Sequence, residues 1–561
     1  MKKSSNRREK SIIKNKAGKQ DDRQKRRIIF CIVCFFLCLF GLAVKLTWIQ
    51  IIDREKYVSV INRQHRIMIE GIDKRGVIYD RNQNPITDAV EEYVYIIRKE
   101  KNDSESKQLL ASMNAREVRS NNFRYDVYRC DSFLKEESQK LTKTYGAFVM
   151  KTRQRYSSEQ PAAHLIGYLS GADGNGVFGL EKDYENYLSQ QEKNIYSVGD
   201  GGGYIIPGEG IRGTTGKEVG LLTTLDLPLE KKAESVLRES NLDGTIIITD
   251  VKNGEILASA STPSFDPNKV ESYLKSDGKE LMNHATQGLY PPGSVFKIIV
   301  AAAALEHGIK PQDSFVCTGY EQLGEISIKC ATGGETGHGE ITFEDAFAKS
   351  CNSAFIQLGK QLGGQAVLDM ARSFGYGEKT LQEYSSEKKG LLPGLQDVQG
   401  AGIGNLSIGQ GSLLVTPMQI AKMTQIIANN GRSTGLCLVR GTVTNGQQEI
   451  LQKEKEVQCI SRETAEILQR FMVGTVQHGT ANNLGTLSAG GKTGSAEAAE
   501  NGEEVVHGWF TGFIPEKEPL YTITVFVEQG GSGRASAVPL FKEIAEYLLE
   551  NQKSGNPEEA R

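Results

Sequence analysis

The chain has 561 residues, which is enough for two or three domains with a sizeable core. Its formal net charge is −2, but residues 1–27 hold twelve Lys/Arg and three acidic residues, so the remaining residues carry a net charge of −11. A nucleic-acid-binding protein would need a basic surface on its folded part, and this charge distribution excludes nucleic acid as a partner.

A long apolar segment follows the basic residues. Residues 28–44 are uncharged and almost wholly apolar, and residues 46–52 extend the run past Lys45. At about 1.5 Å per residue, a helix over 28–52 can cross a bilayer core of roughly 30 Å. The basic residues before it predict a single-pass protein of the cell membrane, with the tail 1–27 in the cytoplasm and the rest outside. The alternative is a cleaved signal peptide, but the run is long and no Ala-x-Ala-type site follows it.

Residues 57–190 are polar and mixed, and no catalytic constellation appears in this stretch. Short alternating strands are predicted within it, at 76–79 and 93–97. The glycine-rich residues 198–220 are predicted to be a loop or hairpin, because neither a Walker pattern nor a strand-to-helix context surrounds them.

From residue 226 the pattern changes to that of a larger α+β domain. Helices are predicted over 229–240, 298–305 and 538–550, and strands over 244–250, 255–258, 489–495 and 521–527. Strands at both ends with helices between them predict an antiparallel sheet built from both ends of residues 226–550. The last residues, 551–561, are predicted to be a disordered tail.

Three short motifs stand in order within this domain: Ser294-Val295-Phe296-Lys297, Ser350-Cys351-Asn352 and Lys492-Thr493-Gly494. Ser-x-x-Lys and Ser-x-Asn recur elsewhere in the chain, so neither is specific alone, whereas Lys-Thr-Gly occurs once. Ser294 differs from the other occurrences in its context, because a Pro-Pro-Gly turn precedes it and an apolar helix follows. A serine there is usually a helix cap, but Lys297, three residues on, shares its helix face.

A serine acyl-transfer site needs a nucleophile and a base. Ser294 is the predicted nucleophile, and Lys297 is the predicted base, which requires a pKa depressed by partial burial and by a neighbouring cation such as Lys492. Ser350 is predicted to relay a proton between Lys297 and the leaving amine. Asn352 is predicted to donate to an amide carbonyl of the substrate.

The third motif is predicted to bind the substrate. Lys492 and Thr493 would hold its terminal carboxylate, and Gly494 would let it approach the strand backbone closely. The backbone N–H groups of Ser294 and Ser495 would bind the tetrahedral oxyanion.

Nine cysteines are present, of which Cys31, Cys34 and Cys38 lie in the apolar segment. Cys317 and Cys330 are close enough in sequence for a disulfide, which sequence alone cannot prove. Cys351 is interpreted as a small residue packed beneath the site. No His/Cys/Asp/Glu cluster has convincing metal-ligand spacing, so no metal is predicted. No cofactor is implied either, because side chains and backbone fill every chemical role.

Taken together, the motifs resemble the signature of penicillin-binding proteins and serine β-lactamases. Further segments resemble the neighbourhoods of that signature: 283–297, 404–411 with Thr416-Pro417, 478–481 and 508–513. Upstream, segments 75–82, 163–168 and 179–181 resemble boxes of the class B pedestal, so the resemblance covers residues from about 45 to 545. One departure is Ser495, which stands where many members have threonine, although only its backbone N–H is needed.

The resemblance implies a class B penicillin-binding protein, a monofunctional D,D-transpeptidase that cross-links peptidoglycan stem peptides and is acylated by β-lactams. It implies an α+β transpeptidase domain with a five-stranded antiparallel sheet flanked by helices, over residues 226–550. An elongated pedestal, residues 53–225, and one transmembrane helix would precede it. The implied partners are stem peptides on lipid-linked or nascent glycan, β-lactams, the membrane, a polytopic membrane glycosyltransferase and other proteins of the cell-wall complex.

Other functions fit the sequence less well. A hydrolase, either a D,D-carboxypeptidase or a β-lactamase, shares the motifs, but the anchor and pedestal favour the transpeptidase. A β-lactam receptor needs an intracellular effector module, for which 27 residues leave no room. A catalytically silent scaffold is disfavoured by the intact motifs, and the region before residue 221 lacks an obvious acidic pair for a glycosyltransferase.

Overall fold

The structure is a computed structural model that describes residues 5–53, 66–68, 75–118, 124–171, 174–200, 202–206, 211–275, 279–330, 334, 336–452, 454–500 and 502–555. Its helices are α1 (Ser5–Ile51), α2 (Ser104–Ser112), α3 (Lys135–Tyr145), α4 (Ala163–Ile166), α5 (Gly179–Asp183), α6 (Glu185–Leu188), α7 (Leu227–Ser240), α8 (Val270–Tyr273), α9 (Lys297–Glu306), α10 (Phe343–Ala348), α11 (Asn352–Leu362), α12 (Gly364–Ser373), α13 (Gly402–Ser407), α14 (Pro417–Ala428), α15 (Arg462–Gln477) and α16 (Ala537–Gly555).

The strands of the first half are β1 (Arg66–Met68), β2 (Val77–Tyr79), β3 (Val90–Arg98), β4 (Arg116–Val118), β5 (Tyr125–Cys130), β6 (Phe148–Gln154), β7 (Tyr168–Leu169), β8 (Gly176–Phe178), β9 (Lys193–Val198), β10 (Arg212–Thr215), β11 (Val219–Thr223), β12 (Gly244–Asp250) and β13 (Ile256–Thr262). Those of the second half are β14 (Ser314–Cys317), β15 (Tyr320–Leu323), β16 (Ile326–Lys329), β17 (Gly339–Thr342), β18 (Arg432–Ser433), β19 (Val439–Thr444), β20 (Gln447–Ile450), β21 (Val457–Gln458), β22 (Gly490–Glu500), β23 (Glu503–Ile514) and β24 (Tyr521–Val527).

Helix α1 contains the predicted membrane segment. By length and composition, its segment Lys25–Ile51 is long and apolar enough to cross a membrane. Large apolar side chains along it face outward, with Phe30 68% and Phe40 69% exposed. An exposed apolar surface of this extent is costly in water, which agrees with a helix that lies in lipid.

The predicted pedestal, residues 53–225, contains a four-stranded sheet in the order β4-β5-β3-β6. Alternate residues of β3 point to opposite faces, as expected for a strand. Tyr95 and Ile97 pack against Leu110 and Leu141 of the helices α2 and α3, whereas Ile96 faces the other way and packs with Ile205. The predicted strand at 93–97 therefore lies at the centre of a two-sided core.

A buried ion group joins distant parts of the pedestal. Glu181 is fully buried and pairs with Arg75, while Arg155 Nε donates to Glu181 Oε1 at 2.8 Å and Arg155 Nη1 lies 2.6 Å from Asp88 Oδ2. The Tyr156 hydroxyl adds a hydrogen bond to Glu181 Oε1 at 2.7 Å. The segments 75–82 and 179–181, singled out in the sequence, thus meet at one charged cluster.

A second sheet connects the two sides of the predicted boundary at 225/226. Its order is β2-β11-β19-β20, with β2 parallel to β11 and the other pairs antiparallel. Strand β19 comes from the later part of the chain, although it pairs with β11 of the predicted pedestal, and β20 pairs with β19. This long-range pairing was absent from the sequence prediction.

The predicted domain 226–550 is built on a five-stranded antiparallel sheet in the order β13-β12-β24-β23-β22. As predicted, its strands come from both ends of the domain. Trp509 and Phe526 pack into the helical core that contains α9, and Phe510 and Val525 pack against the helices α7 and α16 on the other face. The sheet is therefore covered on both sides, and β22 forms the edge that borders the site.

Most predicted elements of this part agree with the structure, and the following differences concern the sheet and the C-terminus. The long strand β23 was not predicted, although it lies between β24 and β22. Helix α16 continues to Gly555, so residues 551–555 of the predicted disordered tail are helical. The rest of that tail, 556–561, lies outside the described residues.

Candidate active site

Ser294 lies in a 3₁₀ turn, Gly293–Phe296, directly before helix α9. The turn needs glycine at position 293, because its φ is +54° and a Cβ there would lie 2.7 Å from the carbonyl oxygen of Ser495. The N–H of Gly293 donates to the carbonyl of Gly409 at 2.9 Å. The turn is thus held between strand β22 and the segment 404–411. Ser294 itself is half-buried.

Lys297, at the start of α9, is fully buried and points to the second motif. Its Nζ donates to the carbonyl of Ser350 at 2.8 Å, to Ser350 Oγ at 3.2 Å and to Asn352 Oδ1 at 2.6 Å. A buried ammonium or amine without partners would be costly, and these three acceptors satisfy it.

Ser350 lies two residues after the end of helix α10 and has a left-handed backbone conformation, with φ +57°. Such a conformation is uncommon for residues other than glycine and costs about 1–3 kcal/mol. It directs Ser350 Oγ between two lysines, because Lys492 Nζ also donates to this atom at 3.0 Å. The Asn352 amide has two donors, of which one is used by the carbonyl of Lys329 at 3.0 Å.

The third motif lies on the edge strand β22. Lys492 is fully buried, and Thr493 Oγ1 is 2.5 Å from Thr480 Oγ1. Ser495 is exposed at the edge. A Cβ at Gly494 would lie 3.1 Å from Val295 Cγ1 and 3.2 Å from the carbonyl oxygen of Pro292. The nucleophile turn therefore packs closely against the backbone of β22, which favours glycine at this position.

Both lysines have depressed pKa values. Burial lowers the pKa of Lys297 to about 8, from an ordinary value of 10.5. Burial, and then the nearby charge of Lys297, lower the pKa of Lys492 well below its ordinary value. Depression by burial was expected from the sequence, and its effect is to make the neutral amine of Lys297 accessible near neutral pH.

Sequence reasoning gave no role to several neighbours of the site. Thr480 contacts Thr493, and Arg534, which is exposed, donates to the carbonyl of Thr480 at 2.7 Å and to Asn482 Oδ1 at 2.7 Å. Arg534 therefore brings a second cation to the end of the site where a carboxylate was predicted to bind. The resemblance of segment 478–481 was a signal for Thr480, but nothing in the sequence marked Arg534.

The cysteines near the site also differ from the sequence expectation. None of the nine is in a disulfide, including Cys317 and Cys330. Instead Cys317, Cys330, His338 and Cys351 lie together, with their ligand atoms all within 4.8 Å of one another. The prediction that no cluster has metal-ligand spacing considered neighbours in sequence, and these four residues are brought together only by the fold.

Comparison with known proteins places this geometry in context. A family model, the penicillin binding protein transpeptidase domain, matches residues 244–546. Peptidoglycan D,D-transpeptidase MrdA of Acinetobacter baumannii is 28% identical over 602 residues, covering 95% of this chain and 88% of the relative. Stage V sporulation protein D of Bacillus subtilis is 26% identical over 536 residues, covering 90% and 82%. The complex between Penicillin-Binding Protein (PBP2) and MreC from Helicobacter pylori contains a similar fold, with TM-score 0.65 and 23% identity over 86% of this chain and 98% of that chain.

Proposed function

This chain belongs to the family of proteins with a penicillin-binding protein transpeptidase domain, and we propose that it is a peptidoglycan D,D-transpeptidase that cross-links stem peptides through an acyl-enzyme on Ser294. The observation that carries the proposal is the convergence of Lys297 and Lys492 on Ser350 Oγ, beside the turn that holds Ser294. This arrangement supplies a base, a proton relay and a second lysine within one buried hydrogen-bond network.

In the acylation step, neutral Lys297 takes the proton of the Ser294 hydroxyl while Ser294 Oγ attacks the carbonyl carbon of the donor stem's scissile peptide bond. The negative charge that develops on the carbonyl oxygen is bound by the backbone N–H groups of Ser294 and Ser495. Ser350 passes a proton from Lys297 to the leaving amine, and the peptide bond breaks. A positioned base contributes about 10²–10⁴ in rate.

In the second step, the amine of an acceptor stem attacks the ester carbonyl and gives up a proton through the same relay. Ser294 leaves as a hydroxyl, and the new peptide bond is the cross-link. Asn352 positions the stem through its amide, and Thr493 and Lys492 bind its terminal carboxylate, with Gly494 keeping the strand in contact with the nucleophile turn. Arg534 adds positive charge at the same end, which favours an anionic substrate group.

A β-lactam presents a strained amide and a carboxylate to the same groups, so we expect it to acylate Ser294. A hydrolase, such as a carboxypeptidase or β-lactamase, uses the same acylation step but resolves the ester with water. The size of the pedestal and the similarity to MrdA along most of both chains favour the transpeptidase.

The apolar helix and the same comparisons support a proposal for the cellular setting. We propose that helix α1 anchors the protein in the cell membrane with residues 1–27 in the cytoplasm, and that the pedestal, residues 53–225, and the transpeptidase domain, residues 226–550, lie outside. A structural neighbour is solved with MreC, which supports a place in a cell-wall complex. A polytopic membrane glycosyltransferase is the partner that would supply the glycan strands.

The test is labelling of the full-length protein in detergent with a fluorescent penicillin, beside Ser294→Ala and Ser350→Ala. We expect the wild type to form an adduct that persists for hours, Ser294→Ala to form none, and Ser350→Ala to form it far more slowly. Circular dichroism melts of all three proteins check that the variants are folded.

Two results would contradict the proposal in different ways. Rapid release of the penicillin by the wild type would indicate a hydrolase. No labelling of a folded wild type would indicate a scaffold whose motifs record ancestry alone.

A further inference from the structure

Gln410 bridges the two elements that flank the nucleophile turn. The segment 404–411 lies on one side of this turn, where a Cβ on Gly409 would come within 2.1 Å of the Gly293 carbonyl oxygen. Strand β22 packs on the other side of Gly293. The half-buried side chain of Gln410 reaches from the segment to the backbone of Glu497 on β22.

This contact has the form of a pair of β-ladder hydrogen bonds. With the Gln410 amide oxygen facing the N–H of Glu497 and the amide nitrogen facing the Glu497 carbonyl oxygen, both distances are 3.2 Å. A primary amide offers the same kinds of donor and acceptor as a peptide group. Gln410 therefore takes the place on the edge of β22 that a residue of an added peptide strand would occupy.

The backbone of Gln410 is held on its own side of the bridge. Its N–H donates to the Asn405 carbonyl at 2.8 Å, and it stands between Gly409 and Gly411, whose φ angles are +71° and +84°. These left-handed angles favour glycine. Because the same segment packs against the nucleophile turn, the fold sets the position of the Gln410 amide relative to Ser294.

Glu497 lies two positions beyond Ser495, the proposed oxyanion donor. Successive residues of an antiparallel strand direct their backbone groups to opposite edges, so those of Ser495 and Glu497 face the same edge, away from β23. A strand rises about 3.4 Å per residue, which places the Gln410 amide about 7 Å along β22 from Ser495.

The path of the donor stem leads to the same place, in an inference that rests on the proposed function. That function puts the terminal carboxylate at Thr493 and the attacked carbonyl at Ser495, so the preceding donor residues run antiparallel to β22, toward Glu497. The residue with the attacked carbonyl lies opposite Ser495, and the residue two positions before it would lie opposite Glu497. The Gln410 amide already holds that position.

We propose that Gln410 limits the donor peptide to two residues along β22 and turns the third residue away from the strand. The groove then selects the end of the donor that carries the reacting bond, and residues farther back add no ladder hydrogen bonds. A brace between the segment 404–411 and β22 would also hold the site together, but it would not distinguish donors by their length.

The test compares two synthetic donors, which are acetyl-capped peptides ending in D-alanine joined as a thioester to thioglycolate. The thioglycolate supplies the terminal carboxylate. The short donor has two residues before the thioester, and the long donor has two further glycines. Full-length protein in detergent receives D-alanine as the acceptor amine, and loss of the thioester absorbance gives kcat/KM for each donor. The readout is the ratio of the long donor to the short one, in which a general loss of activity cancels.

We expect a ratio of about one in the wild type, where the third residue gains no hydrogen bond. The control Gln399→Ala, which replaces an exposed glutamine shortly before α13, should give the same ratio. In Gln410→Ala the vacated backbone groups of Glu497 can pair with the long donor, so the ratio should rise about fivefold, the effect of one net hydrogen bond. Gln410→Asn, whose side chain is one methylene shorter, should also raise the ratio and covers the case in which the alanine variant fails to fold.

A measurement on the wild type needs no variant. The long donor is N-methylated at the third residue before the thioester, which removes the N–H that would pair with Glu497. We expect the methylated and unmethylated long donors to react at the same rate, because this N–H makes no bond to β22.

Two results would overturn the inference and leave the proposed function intact, provided that the wild type forms a lasting penicillin adduct. A wild-type ratio of about five or more that is lost on N-methylation would show that the third residue pairs with Glu497 in spite of Gln410. A wild-type ratio in folded Gln410→Ala would reduce Gln410 to a brace. Absence of both penicillin adduct and thioester turnover in the folded wild type would refute the proposed function and the inference together.

Discussion

Lys297 has three acceptors within hydrogen-bond distance, and its burial lowers its pKa to about 8. The proposed base is the neutral amine, whose fraction rises as the pH passes upward through the pKa. We therefore expect the rate of acylation by fluorescent penicillin to rise from pH 6 and to level off above about pH 8. A lysine with the ordinary pKa of 10.5 would give a rate that still rises at pH 9, and a flat profile would exclude Lys297 as the base.

Replacement of Lys297 by arginine keeps a long cationic side chain but removes the ability to act as a base. Arginine stays protonated in proteins and cannot accept the proton of Ser294. We expect Lys297→Arg to slow acylation by about 10²–10⁴, measured by stopped-time labelling at pH 8. Lys349→Arg, an exposed substitution next to the second motif, is the matched control and should label like the wild type. Equal labelling rates in both variants would contradict the assignment.

At the scale of elements, the nucleophile turn and strand β22 are in direct contact through a glycine. At Gly293 the φ is +54° and a Cβ would lie 2.7 Å from the Ser495 carbonyl oxygen. We expect Gly293→Ala to push the turn away from β22 and to slow penicillin acylation at least tenfold, because the proposed oxyanion donors lie on these two elements.

Gly308, just after α9, provides the control for backbone strain. Its φ is +86°, but a Cβ there would have no heavy atom within 4 Å. An alanine costs about 1–2 kcal/mol at either glycine through the left-handed backbone alone. Gly308→Ala should therefore lower the melting temperature and leave acylation unchanged. If both variants acylate at the same rate, crowding against β22 has no effect on the site.

The elements that the sequence predicted well are those with a strong local pattern. The apolar run 298–305 lies within α9, and the β-branched run 521–527 coincides with β24. Strand β23 was missed because Gly508 and Gly512 weaken its strand pattern, and its pairing with β24 and β22 on both sides offsets that weakness. Local propensity predicts an element, whereas long-range pairing depends on partners far along the chain.

The candidate active site shows the same contrast between local sequence patterns and long-range contacts. The order of the three motifs predicted that their residues meet, and Lys297, Ser350 and Lys492 do form one hydrogen-bond network. The left-handed conformation of Ser350 and the contact of Arg534 with Thr480 have no sequence pattern, because they arise from tertiary packing. The cluster of Cys317, Cys330, His338 and Cys351 was missed for the same reason, since no two of its members lie in a short metal-binding motif.

At the scale of the whole molecule, the pedestal depends on charges that the fold brings together. Arg75 is near its start, Arg155 is in its middle, and both pair with Glu181, which has no exposed surface. Burial alone would lower the pKa of the Arg155 guanidinium, but the carboxylates of Glu181 and Asp88 outweigh burial and raise this pKa. Removal of Glu181 leaves each of the two guanidinium groups with one remaining carboxylate, Glu185 for Arg75 and Asp88 for Arg155, and the loss of a buried partner costs more than the pair stabilises.

We expect Glu181→Gln to destabilise the pedestal by about 3–5 kcal/mol, because Arg75 and Arg155 lose their shared buried carboxylate. Thermal unfolding of the full-length protein, followed by circular dichroism, measures the change. Glu91→Gln removes a carboxylate from an exposed pair with Lys151 on the same sheet, and should change the melting temperature little. The neighbours of Ser294 belong to a different hydrophobic core from those of Glu181. Fluorescent penicillin should therefore still label Glu181→Gln at temperatures below its unfolding transition. If the melting temperature of Glu181→Gln equals that of Glu91→Gln, the buried ion group does not stabilise the pedestal. If Glu181→Gln is not labelled even at low temperature, the pedestal and the acylation site unfold as one unit.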